Sequence, residues 1–167
     1  MGHLEHKAQS PAVAHCYVLT ISDTRTEATD TSGRAIIDLL WAEGHQVSGR
    51  KIVRDEPADV REVIQTQLDD PDVQVIITSG GTGITSRDTT YETIVSLLDK
   101  RLDGFGELFR MLSYQEIGSA AMLSRACGGL ARGKVVLSLP GSEHAVRLAM
   151  TKLILPELGH LVREAGR

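Results

Sequence analysis

The residues best equipped for chemistry fall in one stretch, "VIITSGGTGITSRDTT", residues 75–90. Val75, Ile76 and Ile77 read as a short buried strand, and Ser79, Gly80, Gly81, Thr82 and Gly83 follow it directly. Glycines at the end of a core strand let backbone N–H groups approach an anion closely, and a helix starting just beyond adds positive potential. A phosphate is the expected guest. Two familiar phosphate loops do not fit. A Walker A loop needs a second glycine where Thr85 and Ser86 stand, and a dinucleotide fingerprint begun at Gly81 and Gly83 needs glycine at Ser86.

Two carboxylates, Asp55 and Asp88, raise the next question. Beside a phosphate cradle they repel the substrate unless a cation lies between. Mg²⁺ held by one or two carboxylates and by phosphate oxygens resolves that conflict. Each aspartate also has a structural alternative. Asp55 could be a turn residue before Pro57, and Asp88 could be the N-cap of a helix beginning near Thr89 or Thr90. Arg87 could add a guanidinium contact or be a solvated arginine.

These residues must be positioned by regular elements, and the apolar pattern alternates between strand-length runs and stretches of helical period. "CYVLTI" (16–21), "QVSGRKIV" (46–53) and "VQVIIT" (73–78) predict strands. "SGRAIIDLLWAEG" predicts a helix stopped by Gly44, and Val60, Val63, Ile64 and Leu68 share one face of a second, ended by Pro71. "YETIVSLLDK" predicts a third helix, and Phe105, Leu108, Phe109 and Leu112 form a stripe on a fourth, read as core or subunit contact. Residues 120–141 predict a hairpin leading into a last core strand at 135–139. The chain is then helical to its end, with Pro156 kinking that helix or starting a second segment. Alternating strands and helices imply an α/β, doubly wound fold, a mostly parallel sheet with helices on both faces and a small β-hairpin.

In such sheets ligands bind beyond the carboxyl ends of the strands. The strand ends here carry Ser22 and Asp23, Arg54 and Asp55, the Ser79–Gly83 run, and Pro140, Gly141 and Ser142. Together they predict one polar cleft.

The 167 residues suit one domain, residues 15–167, preceded by a polar and mobile arm at 1–14. A net charge of -4 argues against nonspecific nucleic-acid binding. No apolar run approaches the ~18 residues of a membrane span, and the N-terminus has no signal-peptide h-region. Cys16 and Cys127, with no metal-binding spacing around them, read as reduced thiols of a cytoplasmic protein. His3 and His6 have HxxH spacing that supports adventitious metal binding at most, while His45 and His160 read as surface or packing histidines.

"LTISDTRT", "TSGGTGITSRDTT", "GFGELFR", "IGSAAMLSRACGG" and "LSLPGS" occur in an order and spacing that resembles the MoaB/Mog family of molybdenum-cofactor biosynthesis proteins, closer to the MoaB branch. The resemblance runs from about Cys16 to about Leu161. It implies a molybdopterin adenylyltransferase, a nucleotidyltransferase that takes molybdopterin and ATP as substrates with Mg²⁺ and releases pyrophosphate. It also implies self-association as a trimer or hexamer. The family pattern gives Asp55 and Asp88 catalytic and metal roles, and puts Ser79, Gly80, Gly81, Thr82 and Gly83 on the nucleotide loop. Ser22, Asp23, Pro140, Gly141 and Ser142 fall on pterin-binding positions. Glu143 stands where relatives often carry a neutral residue, placing an anion beside an expected anionic ligand. Glu107, in "GFGE", is a further candidate. The resemblance also admits a protein that holds molybdopterin or a nucleotide without turning it over, or an assembly scaffold.

Overall fold

Side chains alternate across the central strands, so each strand supplies two apolar sets. Cys16, Val18, Val75, Ile77, Val135, Leu137 and Leu139 join one buried cluster, while Tyr17, Leu19, Ile21, Ile76 and Val136 join the other. The computed structural model describes residues 2–167, apart from the side chains of His3, His6 and Lys7. The HxxH pair therefore lies outside the described side chains.

Strands β1 (His15–Ile21), β2 (Gln46–Val53), β3 (Val75–Ser79), β4 (Lys100–Arg101), β5 (Cys127–Ala131) and β6 (Lys134–Leu139) form one six-stranded sheet in the order β2-β1-β3-β6-β5-β4. The four strands β2, β1, β3 and β6 are parallel, and β5 and β4 continue the sheet antiparallel. Helices α2 (Thr31–Ala42), α5 (Asp103–Ile117), α6 (Glu143–Ala149) and α7 (Leu155–Ala165) contribute to the first cluster. Helices α3 (Pro57–Asp69) and α4 (Thr90–Leu97) cover the other face. The expected doubly wound α/β architecture is present. The expected hairpin is β5–β6, closed by Arg132 and Gly133, which both take positive φ (50° and 76°), as a tight two-residue turn requires.

Two local details differ from the sequence expectation. The third expected helix ends at Leu97, and Lys100 and Arg101 leave it to pair with β5. Before the hairpin, residues Gly118–Leu123 form a 3-10 turn. Pro156 stands in the first turn of α7, so it starts a second segment, one of the two outcomes the sequence predicts. The turn before it, Met150–Ile154, widens to a π-turn in which the Leu155 N–H bonds the Met150 carbonyl. Widening makes room for a ring that would otherwise press on the preceding turn.

Ahead of β1, a short helix α1 (His3–Ala8) leads to residues lying against α7. Gln9 accepts from Arg163 at 3.1 Å. No helix among the described residues is long and apolar enough to cross a membrane.

Candidate functional site

The parallel strands bring their carboxyl ends to one edge, and the connections leave that edge in opposite directions between β1 and β3. A crevice is expected at such a switch point, and the two glycine loops meet there. A Cβ on Gly141 would lie 3.4 Å from Gly80 Cα, and one on Gly80 would lie 2.1 Å from the Ile21 carbonyl oxygen at the end of β1. Gly80 and Gly81 take φ of 102° and 72°, conformations that side chains resist. A Cβ on Gly81 would meet the Thr90 hydroxyl at 1.9 Å and Asp55 Oδ2 at 3.2 Å. Only glycine lets the loop turn this closely over its neighbours.

The loop's hydrogen bonding shows what it can hold. The Gly80 N–H is taken by the Leu139 carbonyl at 3.0 Å, so it is not part of an anion cradle. Among the described residues, the N–H groups of Gly81, Thr82, Gly83 and Ile84 have no acceptor. The cradle therefore starts one residue later than the sequence suggested. Beneath it, the buried hydroxyls of Ser79 and Thr90 have no partner among the described residues either. Buried polar groups are nearly always hydrogen-bonded, so the unpartnered Ser79 and Thr90 hydroxyls beneath these free donors make the loop a candidate ligand site.

The two aspartates sit near the two ends of this row, Asp55 by Gly81 and Asp88 by Gly83. Asp55 is buried and touched by the Thr89 hydroxyl at 3.4 Å. Burial, then the charges of Asp88 and Asp23, push its carboxyl above the ordinary range. Asp88 does not cap α4; Thr89 occupies the N-cap position, without a side-chain bond. Instead Asp88 Oδ2 accepts from the Thr85 N–H (2.9 Å) and hydroxyl (2.6 Å), folding residues 85–88 into a turn. Asp55 lies in the bend just before Pro57, where the Glu56 N–H bonds the Arg54 carbonyl at 2.8 Å, so its turn alternative is realised. Only the capping alternative for Asp88 is excluded. Among the described residues no three acidic, His or Cys side chains cluster to hold a metal. The protein offers at most two carboxylates, which fits Mg²⁺, an ion that takes its remaining ligands from phosphate and water.

Asp23 faces the same side. It accepts from the Asp55 N–H (3.1 Å) and from Arg87 (2.9 Å), and Arg87, followed by that N–H, holds its carboxyl below the ordinary range. Arg87 also pairs with Glu56, tying the glycine loop to both strand ends beyond β1 and β2. Ser22 accepts from the N–H groups of Thr24 and Arg25, shaping the loop after β1. Across the cleft, the Gly141 carbonyl accepts from Ser32 (2.6 Å) and Arg25 (2.9 Å), and Ser142 caps α6. Glu143 turns away along its own helix to Arg147 (2.9 Å), so its charge is offset there. Glu107 is simply exposed on α5.

Sequence reasoning missed Asp30 and Arg125. Asp30 is fully buried, caps α2 through Gly33, accepts from Thr20 (2.6 Å) and pairs with Arg50 (2.9 Å) and Arg25 (3.7 Å). Arg125 stood in plain view inside "SRACGG", but nothing in its spacing signals the carbonyls it binds. Beside the loop a cavity of about 590 Å³ opens between α3 and α4, lined by Pro57, Arg61, Ile84, Asp88, Glu92 and Arg125 among others. That volume suits a small-molecule ligand.

Both cysteine thiols are free, and burial pushes Cys16 up to about 12 and Cys127 up to about 11, so neither is a thiolate nucleophile. His45 is a packing residue, accepting from the Ala14 N–H, and His160 lies beside Glu157 on α7.

Comparison with known proteins assigns this geometry to a family. Residues 17–160 match the family model described as "Probable molybdopterin binding domain". The molybdenum cofactor biosynthesis protein B of Bacillus cereus is 54% identical over 168 residues, covering 100% of this chain and 99% of its own. A crystal structure of a molybdenum cofactor biosynthesis protein B superposes with a TM-score of 0.91 at 54% identity, covering 94% of this chain and 98% of that one. The tungsten cofactor synthesizing protein MoaB from Pyrococcus furiosus superposes with a TM-score of 0.85 at 38% identity, covering 95% and 100%. With its sequence motifs, its sheet order and these similarities in agreement, the chain belongs to the MoaB/Mog family of molybdenum-cofactor biosynthesis proteins, on its MoaB side.

Proposed function

We propose that this protein binds molybdopterin and ATP with Mg²⁺ and transfers the adenylyl group to the pterin's terminal phosphate, releasing pyrophosphate. The single observation that supports this most is the row of unpaired N–H groups at residues 81–84, flanked by Asp55 and Asp88. A nucleotide's phosphates would lie on that row. Molybdopterin would lie toward Ser22, Asp23 and the Pro140–Gly141–Ser142 loop, so that its terminal phosphate meets the α-phosphorus over the point where the two glycine loops touch.

An oxygen of the pterin phosphate forms the new bond to the α-phosphorus, and the bond to the β-phosphate oxygen breaks with its electrons leaving on pyrophosphate. Such transfers need alignment and charge neutralisation more than covalent help from the protein. Backbone donors at 81–84 align the polyphosphate and accept the charge that builds on it. Asp55 and Asp88 would hold Mg²⁺, which when bound neutralises the α-phosphate and the leaving pyrophosphate. Asp55 must be ionised to do so, and its raised pKa reflects first burial and then the charges of Asp88 and Asp23, which a bound cation would offset. Arg87 partly offsets the nearby charges of Asp23 and Glu56.

Self-association belongs to the same proposal. Phe105 and Phe109 of the predicted stripe are core, whereas Leu108 is exposed, as are Met111, Tyr114 and Ile117 on α5 and Met122 and Leu123 just after it. An apolar face of this kind marks a protein contact, and a trimer or hexamer would cover it. We also place the protein in the cytoplasm, where its two unpaired cysteines remain reduced.

The test supplies molybdopterin, ATP and Mg²⁺ and measures pyrophosphate. Release that requires all three supports the transfer. Tight binding of both substrates without pyrophosphate would instead make this a carrier of molybdopterin.

A further inference from the structure

The donors of the cradle point the right way only if something turns their peptide planes. In a trans peptide the C=O of one residue and the N–H of the next point in opposite directions. Fixing the carbonyls of Thr82 and Gly83 on one side of the loop therefore drives the N–H groups of Gly83 and Ile84 to the other. One residue fixes both. The Arg125 N–H donates to the Thr82 carbonyl at 2.9 Å, and its Nε donates to the Gly83 carbonyl at 2.8 Å. Its Nη2 reaches the Asp88 carbonyl at 2.7 Å, gripping the far end of the same loop, and its Nη1 pairs with Glu92 on α4. The guanidinium lies 5.2 Å over the Tyr91 ring, and the Tyr91 hydroxyl accepts from Arg101.

We propose that Arg125 is a positioning residue that orients the anion cradle and Asp88. This rests on the proposed function for what the cradle holds, but not for the orientation itself. Each nitrogen of the guanidinium already has a partner on the loop or α4, so Arg125 works by holding the backbone and not by meeting the phosphates. The role demands a planar fork with donors diverging in one plane. A lysine ammonium, a single point with a flexible stem, cannot hold Gly83, Asp88 and Glu92 together.

The test uses the full chain as wild type, Arg125→Lys and Arg125→Ala. Amide hydrogen exchange is followed at residues 81–89 and in β1, β3 and β6, and Mg-ATP binding is followed by calorimetry. In Arg125→Ala, exchange at 81–89 is expected to rise while the strands stay protected. Mg-ATP binding weakens by about 10- to 100-fold, the loss of charge-assisted bonds. Millimolar guanidinium restores most of that binding in Arg125→Ala, and Arg125→Lys stays impaired. Unchanged exchange at 81–89 in both variants overturns the proposal, as does wild-type Mg-ATP binding by Arg125→Lys. Should Arg125→Ala unfold, exchange and binding in Arg125→Lys decide the matter alone. If the wild type binds no Mg-ATP, the proposed function fails, while the exchange contrast still decides the role of Arg125.

Discussion

The two glycine loops that meet in the cleft are held in opposite ways. The Gly141 loop is tied into the protein interior. Its carbonyl is gripped by Ser32 and Arg25, and Arg25 pairs in turn with Asp30, a carboxylate with no exposed side-chain surface. The Gly80–Gly83 loop is tied from outside, by Arg125 behind it and by Arg87 across its mouth, and Ile84 at its tip is 63% exposed. Anchors sunk in the core resist local opening, whereas partly exposed ion pairs yield readily. The contrast teaches that removing a side chain that anchors the first loop should show as lost stability, and removing a functional side chain of the second as lost chemistry.

The largest expected effect lies on the second loop. Asp55→Ala or Asp88→Ala should lower turnover by roughly two to three orders of magnitude, the scale of losing one preorganised electrostatic group. Pyrophosphate release measured on folded protein checks this. Near-normal rates in both variants would remove the aspartates from the chemistry.

A second experiment compares the loops at equal chemistry. Gly80→Ala forces a methyl onto the Ile21 carbonyl from a φ of 102°, and should cost about 1–3 kcal/mol through backbone strain alone. Gly141→Ala places the same methyl at ordinary contact distance, 3.4 Å from Gly80 Cα, with no positive φ to resist it. Its melting point should stay within ~2 °C of wild type. Equal losses in the two variants would mean that the contact between the loops, and not the conformation of Gly80, limits what fits there.

The outlines of this arrangement were legible in the sequence because they rest on local pattern. Val75, Ile76 and Ile77 announce a strand buried on both faces, and the i, i+3, i+4 spacing of Val60, Val63 and Ile64 announces a helix. The glycines at 80–83 announce a loop that needs bare backbone. What the sequence could not show depends on contacts between distant residues. Asp30 gathers Thr20, Arg25 and Arg50, none spaced to suggest a network, and Arg125 meets Gly83 from 42 positions away. The turn made by Asp88 was hidden for another reason. A carboxylate just before a helix has two local outlets, its own N-terminus or the preceding turn, and only the packed loop selects Thr85.

Asp30→Asn probes the buried anchor. The amide keeps the shape but leaves Arg50 and Arg25 without their counter-charge, costing on the order of 2 kcal/mol and lowering the melting point by ~4–8 °C at neutral pH. The sign with pH is definite. Burial pushes Asp30 up, but Thr20, the Gly33 N–H and Arg50 together outweigh it and hold the carboxyl below its ordinary value. The folded state therefore binds this proton less readily than the unfolded chain. The resulting stability is present above the ordinary carboxylate pKa and is lost as pH falls through the lowered folded value. Melting curves of wild type and Asp30→Asn should consequently converge below about pH 4. A constant gap across that range would show that the carboxylate's charge is not what anchors the Gly141 loop.

Arg87→Ala should give the smallest change and the clearest view of the outer tie. Its pairs with Asp23 and Glu56 are half exposed and screened by solvent, so losing them should barely change stability, and less still in high salt. The informative quantity is the pH dependence of Mg²⁺-supported nucleotide binding. Burial, Asp88 and Asp23 all raise the Asp55 pKa, and Arg87 lowers it. Without Arg87 the Asp55 carboxyl becomes a still weaker acid and must be deprotonated at higher pH before it can take the ion. The acid limb of binding should therefore move upward. Once Asp55 is ionised, affinity for Mg²⁺ should be equal or greater in the variant, because a competing cation has gone. A limb that stays in place would show that Arg87 only bridges the loops; a limb that moves downward would put the proton-binding group elsewhere than Asp55.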